Sequence, residues 1–279
     1  QNTIKCTKKF RGVQMKLSSI SSGSKGNCIL VENKNTSILV DAGISKKKIE
    51  EGLGNFGKNP NDISGIVITH EHSDHIKGLG VFLRKYKIPV YGTEKTIECI
   101  LNNKSQGQID SDLFYIIKPE QQFSINDMEL LPLHISHDAA DPVCYRFMDS
   151  ENSCAVVTDL GEYNDRLIGN LKGLDAVLAE SNHDVGMLQT GPYPYHLKQR
   201  IWGNKGHLSN ESCGGLINQI ISDKLKHIIL GHLSHENNYP DLAYQAVRNE
   251  INFANNNFLA DYIDIKVADR NEPSCLIEF

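Results

Sequence analysis

The sequence predicts an α/β protein with a sheet-on-sheet core and helices outside. Two observations carry that expectation. Strand-like runs fall into two halves, one opening at Lys16 and one at Met128, each followed by helical patterns. At four places an apolar run passes straight into carboxylates or imidazoles. Ile66-Val67-Ile68 leads into Thr69-His70-Glu71-His72-Ser73-Asp74-His75, Met128 to Ile135 into Ser136-His137, Ser153 to Val157 into Thr158-Asp159, and Lys226 to Leu230 into Gly231-His232. Open α/β sheets place their chemistry outside the carboxyl ends of their strands, so the four exits point to one site.

In chain order, Lys16 to Ile20 reads as a strand, Ser21 to Asn27 as a small polar loop, and Cys28 to Val31 and Ser37 to Val40 as two further strands of an antiparallel meander. The loop has the composition of a phosphate cradle, but it lacks a Gly-Lys-Thr ending and no helix opens behind it. Asp41 ends the third strand and reads as an acceptor that orients the ligand loop, or as a turn residue. Lys46-Lys47-Lys48 opens a helix to about Leu53; a solvated face is the main reading of these lysines, phosphate binding the lesser one.

The β-branched run 66–68 suits a strand buried on both faces. Beyond it His70 and His72 fall on one side of an extended segment, because side chains alternate, and can chelate one ion. Asp74 and His75 leave in another direction as a helical pattern begins at Ile76, and could reach a second ion. Solvated loop histidines with Asp74 as a helix cap are the plain alternative. Three imidazoles and two carboxylates in seven residues favour metal.

A helix through Tyr86, a strand Ile88 to Tyr91, a helix Thr93 to Asn102 and strands Phe114 to Ile117 and Met128 to Ile135 follow. His134 and His137 are three apart and face opposite sides of an extended chain; His137 is expected at the site and His134 in a packed or interfacial place. Val143 to Met148 and Ser153 to Val157 form a hairpin. A helix near Tyr163 to Leu171, strands Ala176 to Ala179 and Lys226 to Leu230, a helix Leu242 to Ile251 and a strand Ile263 to Val267 complete the chain.

A chain of 279 residues buries an ample core without disulfides. Its 7 cysteines are scattered singly with no Cys-x-x-Cys, which suits reduced thiols and a cytoplasmic setting. No apolar run approaches the roughly 18 residues of a membrane span. The net charge of −5 excludes a globally basic polyanion binder, so a nucleic-acid role needs a local basic surface. Residues 1–14 carry Lys5, Lys8, Lys9 and Arg11 without an apolar region, and read as a leader, an upstream read or vector-derived residues; 15–279 read as a single domain starting at Met15.

In order and spacing, the Asp41 exit, His-x-His-x-Asp-His at 70–75, His137, Asp159 and His232 resemble the metallo-β-lactamase-fold hydrolase superfamily, whose fold is a four-layer αββα sandwich. The resemblance implies that His70, His72 and His137 bind one divalent ion, that Asp74, His75 and His232 bind a second, and that Asp159 bridges them. Nitrogen-rich sites suit zinc, and the added carboxylates admit manganese or iron. Ser-His-Asp-Ala-Ala-Asp-Pro-Val, Glu-Ser-Asn-His-Asp and Gly-Pro-Tyr-Pro-Tyr-His-Leu-Lys-Gln-Arg are similar to the YycJ/WalJ-type subfamily, which implies 5′-to-3′ exonuclease activity on double-stranded DNA in repair or maintenance. Similar positions in phosphodiesterase members imply that Glu180 and His207 contact the scissile phosphate and help protonate the leaving oxygen, with His183 a further contact; the alternative is that His207 and His183 are merely cap and loop residues.

From the residues themselves, Tyr193 to Trp202 with Lys205 interleaves aromatic and basic groups as a strand-holding segment would, through Tyr195, Lys198, Arg200 and Lys205. The alternative is an amphipathic helix with Tyr and Trp in the core. The leading expectation is a dinuclear metal-dependent nuclease with Asp74, Asp159, Glu180 and His207 as catalytic groups and DNA as partner. A small-molecule hydrolase of thioesters, lactones or lactams would use the same ions with a compact apolar pocket. A metal-stabilised binding module would be catalytically silent. The oligomeric state has no sequence signal.

Overall fold

The computed structural model describes residues 15–254 and 262–279. The expectations for residues 1–14, and Cys6 among the cysteines, lie outside the described residues.

Among the described residues the first half runs β1 (Lys16–Ser21), β2 (Cys28–Glu32), β3 (Ser37–Val40), α1 (Lys46–Asn55), β4 (Gly65–Val67), α2 (Ser73–Ile76), α3 (Leu79–Tyr86), β5 (Val90–Thr93), α4 (Glu94–Asn102) and β6 (Phe114–Ile117). The second runs β7 (Phe123–Ile125), β8 (Met128–His134), β9 (Val143–Met148), β10 (Ser153–Val157), α5 (Asp165–Leu171), β11 (Ala176–Glu180), α6 (Val185–Thr190), α7 (Tyr195–Trp202), α8 (Asn210–Ile220), β12 (His227–Gly231), α9 (Pro240–Phe253), β13 (Asp264–Val267) and β14 (Ser274–Glu278).

Period-two alternation builds the layers. Ile29 and Val31 face the other sheet, where they meet Leu130, Tyr145, Phe147, Val156 and Leu178. Cys28 and Leu30 face the opposite way, onto Ile49 and Leu53 of α1 and Phe82 and Leu83 of α3. In the second sheet Ala155, Val177 and Ile228 turn outward onto α5, α8 and α9 through Leu167, Leu216 and Val247. Three cores between four layers make the αββα sandwich.

Each seven-stranded sheet is antiparallel in one half and parallel in the other. The first has the order β14-β1-β2-β3-β4-β5-β6, parallel from β3 onward. The second has β13-β12-β11-β10-β9-β8-β7, parallel from β10 to β13. The carboxyl ends of β3, β4, β8, β10, β11 and β12 thereby reach one rim, where Glu180 ends β11 and Asp41, His70, His137, Asp159 and His232 follow the other five.

Three features differ from the sequence reading. The chain does not finish at the strand near Val267: β14 pairs antiparallel with β1, Lys16 opposite Glu278 and Leu17 opposite Ile277. β7 is a three-residue edge strand too short to leave a pattern. The helix expected from Ile76 to Tyr86 breaks at Lys77-Gly78, and His72, not Asp74, occupies its N-cap position.

The break welds the ligand turn to the meander. A Cβ on Gly78 would lie 1.8 Å from the Ile44 carbonyl oxygen, and one on Gly43 would lie 1.6 Å from that of Asp74. Only glycine permits these backbones to touch. Below the turn, Tyr145 is fully buried and donates its hydroxyl to Ile68 O at 2.8 Å. Gly43→Ala should therefore cost about 1–3 kcal/mol in chemical denaturation, as overpacked sites do; a loss under about 0.5 kcal/mol, the scale of ordinary surface changes, would show the contact to be yielding.

Candidate metal centre

Three of the exit residues stand in the left-handed backbone region: Asp41 at φ 63°, Asp159 at φ 59° and His232 at φ 54°. Asp and His are among the non-glycine residues that tolerate this conformation, at a cost of order 1–3 kcal/mol each. The kink turns each chain sharply as it leaves the sheet.

The exits converge. Ligand-type atoms of His70, His72 and His137 lie within 4.8 Å of one another, as do those of Asp74, His75 and His232, and those of His70, His75 and Asp159. Asp159 stands between the two triads: Oδ2 is 3.1 Å from His75 Nε2, and Oδ1 is 3.6 Å from His232 Nε2 and 3.7 Å from His137 Nε2. A fourth set joins Asp159 and His232 to Glu180 and His207.

Hydrogen bonds on the outer nitrogens fix which way the rings face. The Thr69 hydroxyl donates to Asp41 Oδ2 at 2.8 Å, so it accepts from His70 Nδ1 at 3.0 Å. His75 Nδ1 donates to Asp41 Oδ2 at 2.7 Å, His137 Nδ1 to Gly206 O at 3.1 Å, and His232 Nδ1 to Glu180 Oε1 at 2.9 Å. Four imidazoles thus spend Nδ1–H outward and present Nε2 inward, the arrangement by which outer acceptors orient ligating histidines. Apart from the 3.1 Å ion pair of Asp159 Oδ2 with His75, His70 Nε2, His232 Nε2 and Asp159 Oδ2 are buried with no hydrogen-bond partner. Leaving such atoms unsatisfied costs about 1–3 kcal/mol each, which a shared cation removes. The donor set fits a divalent ion or ions.

The electrostatics follow. Burial pulls the His75 imidazole down, but Asp159, Asp41 and Asp74 outweigh it and hold the ring well above its ordinary value. His232 is likewise lowered by burial and lifted by Asp159, Asp74 and Glu180 to about 10. Burial favours a neutral Asp159, yet His232 and His75 keep it ionised, well below the usual carboxylate range. His70, without an ionised partner on its own ring nitrogens, is driven well below its ordinary value by burial first and then by its cationic neighbours. His72 and Asp74 keep 27% and 23% of their side chains exposed and form the open side.

Next to this set, Glu180 is fully buried. It accepts from His207 Nδ1 at 2.7 Å and His232 Nδ1 at 2.9 Å on Oε1, and from Leu160 N at 2.8 Å on Oε2. Desolvation opposes its charge, but the two imidazoles bring the carboxyl down to about 2. His207 is raised: the carboxylates of Glu180 and Asp159 outweigh its burial. His183 is buried, lowered by that burial to about 4, and its Nδ1 has no partner.

The segment 193–205 does not pack as the amphipathic alternative expects. Tyr195 and Trp202 are 66% and 43% exposed and pack edge-to-face on each other, so neither is core. Lys198 Nζ donates to Gln189 O at 2.7 Å. Arg200 makes a two-pronged contact with Asp138, at 2.5 and 3.1 Å, which docks α7 beside His137. Lys205 is exposed. His134 is not packed: its side chain is 54% exposed and lies 3.6 Å from Asp141. Glu71 belongs to none of these ligand sets and accepts from Ala140 N at 2.8 Å.

Thr69, Asp138, the Gly206 carbonyl, Ser22 (which accepts from His232 N at 2.9 Å) and Asn182 (which donates to His232 O at 2.9 Å) all steady the site. Thr69, Asp138 and Asn182 lie in stretches that the sequence singles out, yet no orienting role was legible for them, and Ser22 and Gly206 carried no signal of their own.

Comparison with known proteins agrees with this architecture. A family model described as the metallo-beta-lactamase superfamily matches residues 22–205. The chain is 40% identical over 257 residues to the exodeoxyribonuclease WalJ of Streptococcus pneumoniae serotype 2, covering 92% of this chain and 94% of that one. It is 43% identical over 228 residues to the exodeoxyribonuclease YycJ of Bacillus anthracis, covering 82% and 86%. Among solved structures, the metallo-beta-lactamase fold protein YhfI from Bacillus subtilis superposes with a TM-score of 0.67 at 19% identity, covering 95% of this chain and all of that one, and so shares the fold.

Metal loading should release protons. At pH 7.5 the raised His75 and His232 hold a second proton in metal-free protein, whereas the lowered His70 is already neutral. Ligation requires neutral imidazole, so calorimetric titrations in buffers of different ionisation enthalpy should show about two protons released per loaded chain, declining as pH rises toward about 10. Heats independent of buffer would contradict these charge assignments.

Proposed function

Because the chain belongs to the metallo-beta-lactamase superfamily, we propose that it is a metal-dependent nuclease that holds two divalent ions and removes nucleotides from DNA ends, with residues 15–279 acting as one domain. One observation carries this reading: four imidazoles, each tied outward through Nδ1, turn Nε2 toward a buried carboxylate that has an unpartnered oxygen. In it, His70, His72 and His137 hold one ion, Asp74, His75 and His232 the other, and Asp159 both, with zinc, manganese or iron as the ions. The exodeoxyribonuclease relatives support DNA as the substrate, and repair or maintenance of DNA is the setting that we propose for it. The six described cysteines are free thiols, in keeping with a cytoplasmic place of action. No described helix is long and apolar enough to cross a membrane.

Bound divalent ions would supply Lewis acidity toward a phosphoryl oxygen and ionise water near neutral pH. The chain's own groups do the rest. Glu180, fixed by Leu160 N, holds His207 by Nδ1, which leaves Nε2 to carry the proton that the departing oxygen needs. Burial disfavours charge on His207, but the carboxylates of Glu180 and Asp159 outweigh it and favour the protonated ring. Asp41 and Thr69 lock His70 and His75 in register. The half-exposed His72 and Asp74 leave the substrate's approach on their side.

The test uses end-labelled duplex DNA with manganese. Wild type should release nucleotides, His72→Ala should lose release, and His207→Ala should lower turnover by roughly 10²–10⁴-fold, the range for loss of a general acid. Equal release by wild type and His72→Ala, or no release by either while a thioester or lactam is turned over, would overturn the reading.

A further inference from the structure

A cavity of about 260 Å3 opens beside the ligand turn, between the 21–27 loop, the start of α1, the end of α2 and the turn at 270–271. Among the described residues Lys25, Lys48, Lys77 and Arg270 line it and no carboxylate does, in a chain whose net charge is −5. The lysines next along the chain are neutralised: Lys46 lies 3.3 Å from Glu50 and Lys47 3.6 Å from Glu51. The ammonium groups of Lys25, Lys48 and Lys77 have no hydrogen-bond or ion partner among the described residues. Arg270 is a fixed wall, its guanidinium donating to Leu233 O, Ser234 O and Asn238 O at 3.2, 2.7 and 2.7 Å. Asp269 acts on Arg270 from outside the lining, but the three lysines face one another without a paired carboxylate; such like charges repel, and an anion among them converts that repulsion to attraction.

The cavity shares its walls with the candidate metal centre. Lys77 follows Asp74 by three residues on one helical turn, Gly43 packs on the Asp74 carbonyl, and Arg270 grips the loop directly after His232. Its volume is below the ~300–1,000 Å3 of sites that enclose a drug-sized ligand, and suits one charged group with its water. The cations on α7 are less free, since Lys198 and Arg200 are held by Gln189 O and Asp138.

We propose that this cavity is a phosphate subsite that receives one phosphate of the nucleic-acid strand while a neighbouring phosphodiester lies at the metal centre. The inference rests on the nuclease reading. The phosphate is a terminal monoester or a backbone diester, two sources of one chemistry that experiment separates.

Metal-loaded full-length protein is titrated by fluorescence anisotropy with phosphorothioate-protected duplexes bearing either a 5′-phosphate or a 5′-hydroxyl. Lys48→Glu/Lys77→Glu should bind at least tenfold more weakly than wild type and lower the salt slope by about one. The charge-matched Lys47→Glu/Lys95→Glu, also on exposed side chains, should stay within about twofold of wild type. Loss confined to the 5′-phosphorylated duplex identifies the terminal monoester, and equal loss on both identifies the backbone diester; either supports the subsite. Pocket and control variants that bind alike, or a wild type that binds neither duplex, overturn it. The nuclease reading fails separately, if wild type binds in a lysine-dependent way yet cleaves neither unprotected duplex nor single strands.

Discussion

Asp159 is a carboxylate with 3% of its side chain exposed and one oxygen without a hydrogen-bond partner. Charge placed there is tolerable only with positive charge around it, because desolvating an isolated carboxylate costs far more than one such domain can supply. Protonated His75 and His232 meet that need in metal-free protein, and a divalent ion meets it more completely. The outer acceptors, Asp41 and Glu180, follow from the same constraint: each holds an imidazole by Nδ1, so that Nε2 stays turned to Asp159.

This cluster belongs to the whole sandwich and to no single motif. Its members follow six strands of two sheets, and three stand in a left-handed kink that only tertiary packing maintains. Core contacts between the sheets, such as Tyr145 beneath Ile68, set the distance between the two halves of the site. Glycines at 43 and 78 set the depth at which the ligand turn sits on the first sheet. Metal affinity and fold stability should accordingly respond together to changes at these positions.

Much of the layer order was legible in the sequence because buried strands leave continuous apolar runs and alternation assigns their faces. β7 and β14 escaped because short edge strands, half exposed, carry little of either signal. Spacing placed His70 and His72 side by side, and their rings do lie 4.6 Å apart. Ring orientation was illegible, since it depends on Thr69, the Gly206 carbonyl and Glu180, which reach the histidines from remote turns. The basic cavity was illegible for the same reason. Lys25 sits in a loop with no helix behind it in sequence, and Lys48 in a run of lysines that resembles any solvated helix face; the fold brings the two to one hollow.

The proposed nuclease holds two ions, one in each of the triads that flank Asp159. Anomalous diffraction from crystals soaked in zinc or manganese, collected at the absorption edge of that metal, tests it most directly. Two peaks are predicted, one among His70, His72 and His137 and one among Asp74, His75 and His232, with Asp159 between them. A single peak elsewhere, or none within reach of Asp159, would contradict it.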